Sequence, residues 1–321
     1  MKRREFLVGT TLLVLPCLSA AQAKVPTIGL LWNDSVKPSP FVALLSDGLR
    51  DRGYVVGRTL RFEDAVALEG YGPMADNAAA LVRAKVDLIV TYGATATLAA
   101  AKATKDIPIV TIIGADPVAS GLARSLSRPG GNLTGVWTLS FGLNKKRIEL
   151  LKELAPRTSR LGILFAPGSA VQGAVDEAEA AARALKLETV RAEVRTPDEI
   201  EPSVAGLVKS RVNGIFVGAS TFLAARGKRV VASMASHGMP AVYGEDRYID
   251  AGGLMVYAPS IRKAFGRVAN YADRILKGGR PGDLPIEQTT DVELIINLKS
   301  AKALGITIPQ SILQRADRAI E

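Results

Sequence analysis

The chain has 321 residues, 48% apolar and 22% charged, with 30 Gly, 17 Pro and a single Cys. That balance excludes a disordered chain, a collagen-like chain and a disulfide scaffold, and the length suffices for two hydrophobic cores. The formal charge of +10 includes a basic cluster, Lys2, Arg3 and Arg4, at the very start of the chain. An apolar run from residue 6 to 18 follows that cluster, and then the small-residue pattern Ala21-Gln22-Ala23. This is the layout of a signal peptide over residues 1–23, and the run is short for a stable membrane anchor, the alternative reading. Arg3-Arg4-Glu5-Phe6-Leu7 is similar to the twin-arginine export motif, so the expected location is the periplasm. Cleavage after Ala23 takes the charge from +10 to +8 and removes Cys17, the only thiol. Disulfides, Cys-ligated metal and Cys nucleophiles are thereby excluded from the mature chain.

The next elements alternate. Residues 27–32 read as a buried strand, followed by a Pro-containing loop and a helix with Phe41, Leu44, Leu45 and Leu49 on one face, stopped at Gly53. Strands are expected at 60–63, 86–90 and 107–113, with helices at 73–84 and 95–104 and a third helix opened by Asp116-Pro117 and running to 126. After the breaker Arg128-Pro129-Gly130-Gly131-Asn132 come a strand at 133–136 and a helix at 144–155. The rhythm then restarts with a strand at 161–165 and a helix carrying Val175, Ala178, Ala182 and Leu185. Strands near 188–194, 214–217, 240–243 and 254–257 alternate with helices near 198–209, 221–236 and 260–277. A second breaker at 281–285 precedes a strand at 293–298 and a short helix to 304. Strands about 25 residues apart with helices between them imply parallel βαβ crossovers in two α/β halves. In such open sheets ligands sit outside the carboxyl ends of the strands.

Several segments of the chain, in order, resemble one family. They are Asp106-Ile107-Pro108-Ile109-Val110, Gly114-Ala115-Asp116-Pro117-Val118, the stretch 126–136, Lys146-Arg147-Ile148-Glu149-Leu150-Leu151, Pro240-Ala241-Val242-Tyr243, Ala251-Gly252-Gly253-Leu254-Met255, Asp273-Arg274-Ile275-Leu276-Lys277-Gly278 and the tail 297–309. The group is the extracytoplasmic substrate-binding proteins of ABC transporters that include the tryptophan-binding type. The resemblance implies a type I periplasmic-binding-protein fold: two doubly wound parallel-sheet lobes joined by three crossovers, with a hinge and an interlobe cleft. The first lobe would hold residues 24–137 plus about 281–321, the C-terminal segment returning to it, and the second about 138–280. It further implies a small-molecule ligand, aromatic amino acids being known for some members, and a membrane permease as partner. The protein is expected to be a monomer with no cofactor, no metal and no nucleic acid bound.

Candidate ligand contacts follow from strand ends and helix starts. In the stretch 91–97, Thr91, Gly93, Ala94 and Thr95 offer hydroxyls and free N–H groups at a helix N-terminus, suited to a carboxylate; the bland reading is that Thr95 caps its helix. Ser169, and Ser220 with Thr221, stand at equivalent turns of the second half, either as caps or as contacts. Asp116 is placed to cap its helix and also to face the cleft, where it would take a ligand ammonium. Trp32, beside Asn33 at the end of the first strand, is either a stacking wall or interlobe packing, and Trp137 has the same two readings. Tyr243 and Glu245 end a second-half strand. The basic runs Lys145-Lys146-Arg147 and Arg226-Gly227-Lys228-Arg229 read as solvated helix faces, with docking to a permease as the alternative.

The rival class is an exported α/β hydrolase or glycosidase using a carboxylate pair. Serine-triad chemistry lacks its parts: His237 is the only histidine and no G-x-S-x-G elbow occurs. Arg226-Gly227-Lys228 is not a P-loop, since Phe222 stands where its first Gly is required. A sugar-responsive transcription regulator of the same two-lobe architecture would need a DNA-binding headpiece where the export signal stands. A solute-binding protein that closes on its ligand is the reading that accounts for the whole chain.

Overall fold

A computed structural model describes residues 24–32, 39–64, 74–138, 141–167 and 169–321. The expected signal peptide and Asn33 lie outside the described residues. The first elements are β1 (Thr27–Trp32), α1 (Pro40–Arg50), β2 (Arg61–Asp64), α2 (Met74–Arg83), β3 (Leu88–Tyr92), α3 (Ala94–Ala103), β4 (Ile109–Ile113) and β5 (Leu133–Trp137). The chain continues through α4 (Asn144–Leu154), β6 (Arg160–Phe165), α5 (Ser169–Ala184), β7 (Glu188–Glu193), α6 (Ile200–Lys209), β8 (Gly214–Val217), α7 (Thr221–Ala224), α8 (Gly227–Ser236), β9 (Ala241–Tyr243), α9 (Arg247–Asp250) and β10 (Met255–Pro259). It ends with α10 (Ile261–Leu276), β11 (Glu287–Gln288), β12 (Val292–Asn297), α11 (Leu298–Ala303), α12 (Gln310–Leu313) and β13 (Arg318–Ile320). Among the described residues no helix is long and apolar enough to cross a membrane.

Two sheets form. The first has the order β11-β5-β4-β3-β1-β2, parallel throughout, and the second β13-β12-β10-β9-β8-β6-β7, parallel except where β12 runs against β10. The inner strands are apolar runs such as Leu88–Tyr92 and Ile109–Ile113, buried along their whole length. Such runs demand cover on both faces, which the crossover helices provide. On one face of the first sheet α1 packs against α10; Ile261, Phe265, Val268, Ala272 and Ile275 of α10 form a stripe against Phe41, Leu45 and Leu49. Gly48 lets the two helices approach, since a Cβ there would lie 2.7 Å from the Ala269 Cβ. These are type I periplasmic-binding-protein lobes, and the chain passes between the sheets three times: after β5, at Ser260 between β10 and α10, and between β11 and β12. Hydrogen bonds tie the passages together, from Ser260 N to Asp291 O (2.8 Å) and from Thr289 N to Trp137 O (2.9 Å).

Three expectations differ from the structure. The segments shared between lobes are exchanged: α10 covers the first sheet, because its apolar stripe fits α1, whereas β12 and β13 extend the second sheet, because β12 finds its antiparallel partner in β10. Residues 281–321 therefore do not return to the first sheet as one block; β11 does and the rest does not. The helix expected from Asp116 to residue 126 is a series of turns, since Gly121 adopts φ +71° and ends the first of them. The helix expected at 221–236 is two, α7 and α8. The Arg226 guanidinium lies 4.2 Å over the Phe222 ring and donates to Phe222 O (3.0 Å), the carbonyl that a continuous helix would give to the Arg226 N–H.

Candidate functional site

Between the sheets, at the carboxyl ends of their strands, lies a cavity of about 430 Å³. From the first lobe it is lined by Tyr92, Gly93, Ala94 and Thr95 at the β3–α3 junction, by Ile113, Gly114 and Ala115 after β4, and by Thr138 after β5. The second lobe adds Pro167, Ala219, Ser220, Thr221, Gly244, Glu245, Ala258 and Pro259. Each group stands at the carboxyl end of a strand or just after it, the position at which doubly wound sheets open a crevice.

The β3–α3 turn supplies donors. Gly93 is the N-cap of α3 with φ +90°, and no side chain caps the first turn. A Cβ at Gly93 would meet Thr221 Cγ2 at 2.9 Å, so only glycine permits this close approach of the lobes. The uncapped N–H groups carry the positive end of the helix dipole toward the cavity. Behind them Thr97 donates to Gly93 O (2.8 Å), and its hydroxyl lies 3.0 Å from that of Thr91 and 2.7 Å from that of Thr111. Thr91 is thus fully buried and braces the turn without lining the cavity. On the other lobe Ser220 caps α7 through Leu223 N (3.3 Å) while also lining the cavity.

Glu245 is the acidic group on the cavity wall, and Tyr92 Oη donates to its Oε2 at 2.5 Å across the lobes. Burial pushes the Glu245 carboxyl up, while the Tyr92 hydrogen bond and the charges of Arg147 and Arg247 pull it down. Burial also raises the Tyr92 phenol, and Glu245 adds to the effect. Arg147 is wholly buried: it donates to Tyr257 O (2.7 Å), Asn144 Oδ1 (2.7 Å) and Gly244 O (3.3 Å). Burial lowers its pKa to about 10, so it stays cationic at neutral pH and faces the Glu245 and Glu177 charges. Asp246 next door is pushed up to about 7 by burial, then by the charges of Glu245 and Asp250, against Arg247 and the Ile261 N–H. Arg247 in turn lies 4.9 Å over the Phe41 ring of the first lobe.

Of the expected site residues, Gly93, Ala94, Thr95, Ser220, Thr221 and Glu245 come together on the cavity. The others do not. Trp32 lies inside the first core, edge-on to Phe41 and Phe265 with ring centroids 5.8 and 6.3 Å away, and is neither a wall nor interlobe packing. Trp137 is half-buried against the cluster of Leu133 and Ile286. Asp116 is exposed, its Oδ1 accepting from Val118 N (2.8 Å) and Ala119 N (3.0 Å); it caps a turn, as the bland reading has it, but outside the cavity lining. Tyr243 is buried and stacked on Tyr248 at 4.5 Å. Ser169 opens α5 beside Pro167, its side chain outside the described residues. Arg147, read as part of a solvated face, is instead buried behind the Glu245 carboxyl, a placement that the sequence reading missed. A signal was there: Leu150, Leu151 and Leu154 stand three, four and seven residues further on, so Arg147 shares their inward face.

Two lobes with convergent polar groups on a shared cavity define a bilobal ligand-binding protein. The chain belongs to the family of ABC transporter substrate-binding proteins, whose model matches residues 41–320. A tyrosine-binding protein of Clostridioides difficile is 28% identical over 262 residues, 80% of this chain and 74% of that one. A structure described as the ABC domain in complex with L-Trp from Streptococcus pneumoniae is 28% identical and superposes with a TM-score of 0.80, covering 92% of this chain and 99% of that one. A conserved domain protein from Vibrio cholerae, 24% identical, has the same fold, with a TM-score of 0.82 over 92% of this chain and all of that one.

Proposed function

We propose that this protein captures an amino acid outside the cytoplasm and delivers it to an ABC importer by closing its lobes on it. The carrying observation is the placement of opposite polarity on opposite lobes of one cavity. The uncapped α3 N-terminus suits a carboxylate, and Glu245 suits an ammonium. Names of relatives that bind tyrosine or tryptophan support an amino acid as the ligand. The basic, apolar, small-residue order of residues 1–23 supports export to the periplasm, with Arg3 and Arg4 favouring the twin-arginine route. Action as a monomer, with a membrane permease as partner, completes the reading. Calorimetric titration of the mature chain with L-tyrosine, L-tryptophan and a sugar panel tests it: amino-acid binding is expected, and binding of sugars alone would overturn it.

A further inference from the structure

The cavity does not end at the amino-acid site. Helix α3, of sequence ATATLAAAKA, is apolar on almost every side, yet only Ala96, Thr97 and Ala100 are buried on the sheet. A helix apolar all round needs a second cover. Its other stripe is Thr95, Leu98, Ala99 and Lys102, spaced i, i+3, i+4 and i+7, and all four line the cavity. The space therefore runs along α3 for about 12 Å beyond its N-terminus, at 1.5 Å per residue. Met74, Leu122 and Ser120 line the same space. Lys102, the one charged residue of α3, stands at the far end and makes no ion pair or hydrogen bond among the described residues.

We infer that this chain takes an elongated amino acid whose side chain lies on the Leu98–Ala99 stripe of α3 and ends in an anionic group paired with Lys102. The inference rests on the amino-acid reading above and adds the chemistry of the ligand's distal end. An apolar trough that ends, among the described residues, at the Lys102 ammonium discriminates by charge at the tip: an acidic tip gains a partner, a methyl tip gains none.

The test uses two probes of similar shape, 4-carboxy-L-phenylalanine and 4-methyl-L-phenylalanine, titrated into the mature wild-type protein and the Lys102→Met variant. Methionine is a good helix former at this exposed position, so the fold should be kept. The carboxy probe should bind the wild type about fivefold more tightly than the methyl probe, a modest factor because Lys102 is reached by solvent. In Lys102→Met that preference should vanish while the affinity of the methyl probe stays unchanged. Equal affinity of the two probes for the wild type, or a preference that survives in Lys102→Met, would overturn the distal pairing and leave the amino-acid site standing. Failure of both probes together with L-tyrosine and L-tryptophan would overturn the two readings at once.

Discussion

Glu245 and Asp246 are neighbours in the chain with opposite work. Glu245 faces the cavity, with Tyr92, Arg147 and Arg247 favouring its charged form. Replacing it by Gln should keep a partner for the Tyr92 hydroxyl but remove the counter-charge to a ligand ammonium. Affinity should fall by about 2 kcal/mol or more, roughly thirtyfold in Kd. The melting temperature should fall only modestly, since the lost attraction to buried Arg147 is partly offset by release of the carboxylate from its desolvation cost; a loss of stability at constant affinity would make Glu245 a structural residue only. Asp116→Asn is the control, because Asn caps as Asp does. Asp246 predicts a pH effect. Its folded-state pKa of about 7 lies above the 3.8 of an ordinary Asp, so the fold holds a proton that the unfolded chain has lost. Stability should therefore fall as pH rises from about 4 to about 7 and be level above, as far as Asp246 contributes. Melting curves of wild type and Asp246→Asn across that window isolate the slope, which the variant should lack. Gly93, Thr95, Ser220 and Glu245 were legible in the sequence because they follow strands. Trp32 and Tyr243 follow the same rule and point the other way: alternate strand residues face opposite sides, and nothing local says which side is the cavity.

Helices and strands with strong periodicity could be read from residue patterns, and those shaped by a distant contact could not. A helix near 260–277 was expected from the sequence, but the lobe it covers depends on Gly48 on α1, some 220 residues earlier. The expected helix after Pro117 failed through Gly121, and the split between α7 and α8 through the Arg226 side chain taking a backbone carbonyl. Strand β5 hides a further dependence of this kind. Gly135 adopts φ +145°, and a Cβ there would lie 2.1 Å from Thr111 O and 2.6 Å from Thr111 N of β4. No side chain can yield, because the obstruction is backbone in the middle of a parallel ladder. Gly135→Ala should cost about 3 kcal/mol or more. Gly131→Ala, four residues earlier with open space around its Cβ position, should change stability by less than about 1 kcal/mol. Chemical denaturation of both variants checks the contrast; similar losses would mean that β4 and β5 can separate without penalty.

For the molecule as a whole, four contacts among the described residues join the lobes beside the cavity. Tyr92 reaches Glu245, Arg247 covers Phe41, Gly93 meets Thr221, and Asp246 accepts from Ile261 N at the start of α10. All four contacts pair a first-lobe residue with a second-lobe residue, and most sit next to a chain passage or a cavity-lining turn. A ligand that touches both lobes favours the closed form by its differential affinity, and each of these contacts adds to the same form. The Tyr92 bond is a side-chain hydrogen bond to a carboxyl acceptor, and a single substitution removes it cleanly. Tyr92→Phe keeps the ring against Phe41, 4.6 Å away, so the core of the first lobe should stay intact. It removes a bond worth about 1.5–3 kcal/mol to the closed form alone. Where the wild type is closed only by a margin of that size, the variant opens, and amino-acid affinity should fall by about tenfold or more. Small-angle scattering should then give Tyr92→Phe a larger radius of gyration than wild type without ligand, and the same radius at saturation. Equal radii in the unliganded proteins, with affinity unchanged, would show that the lobes are held by the chain passages and not by this contact.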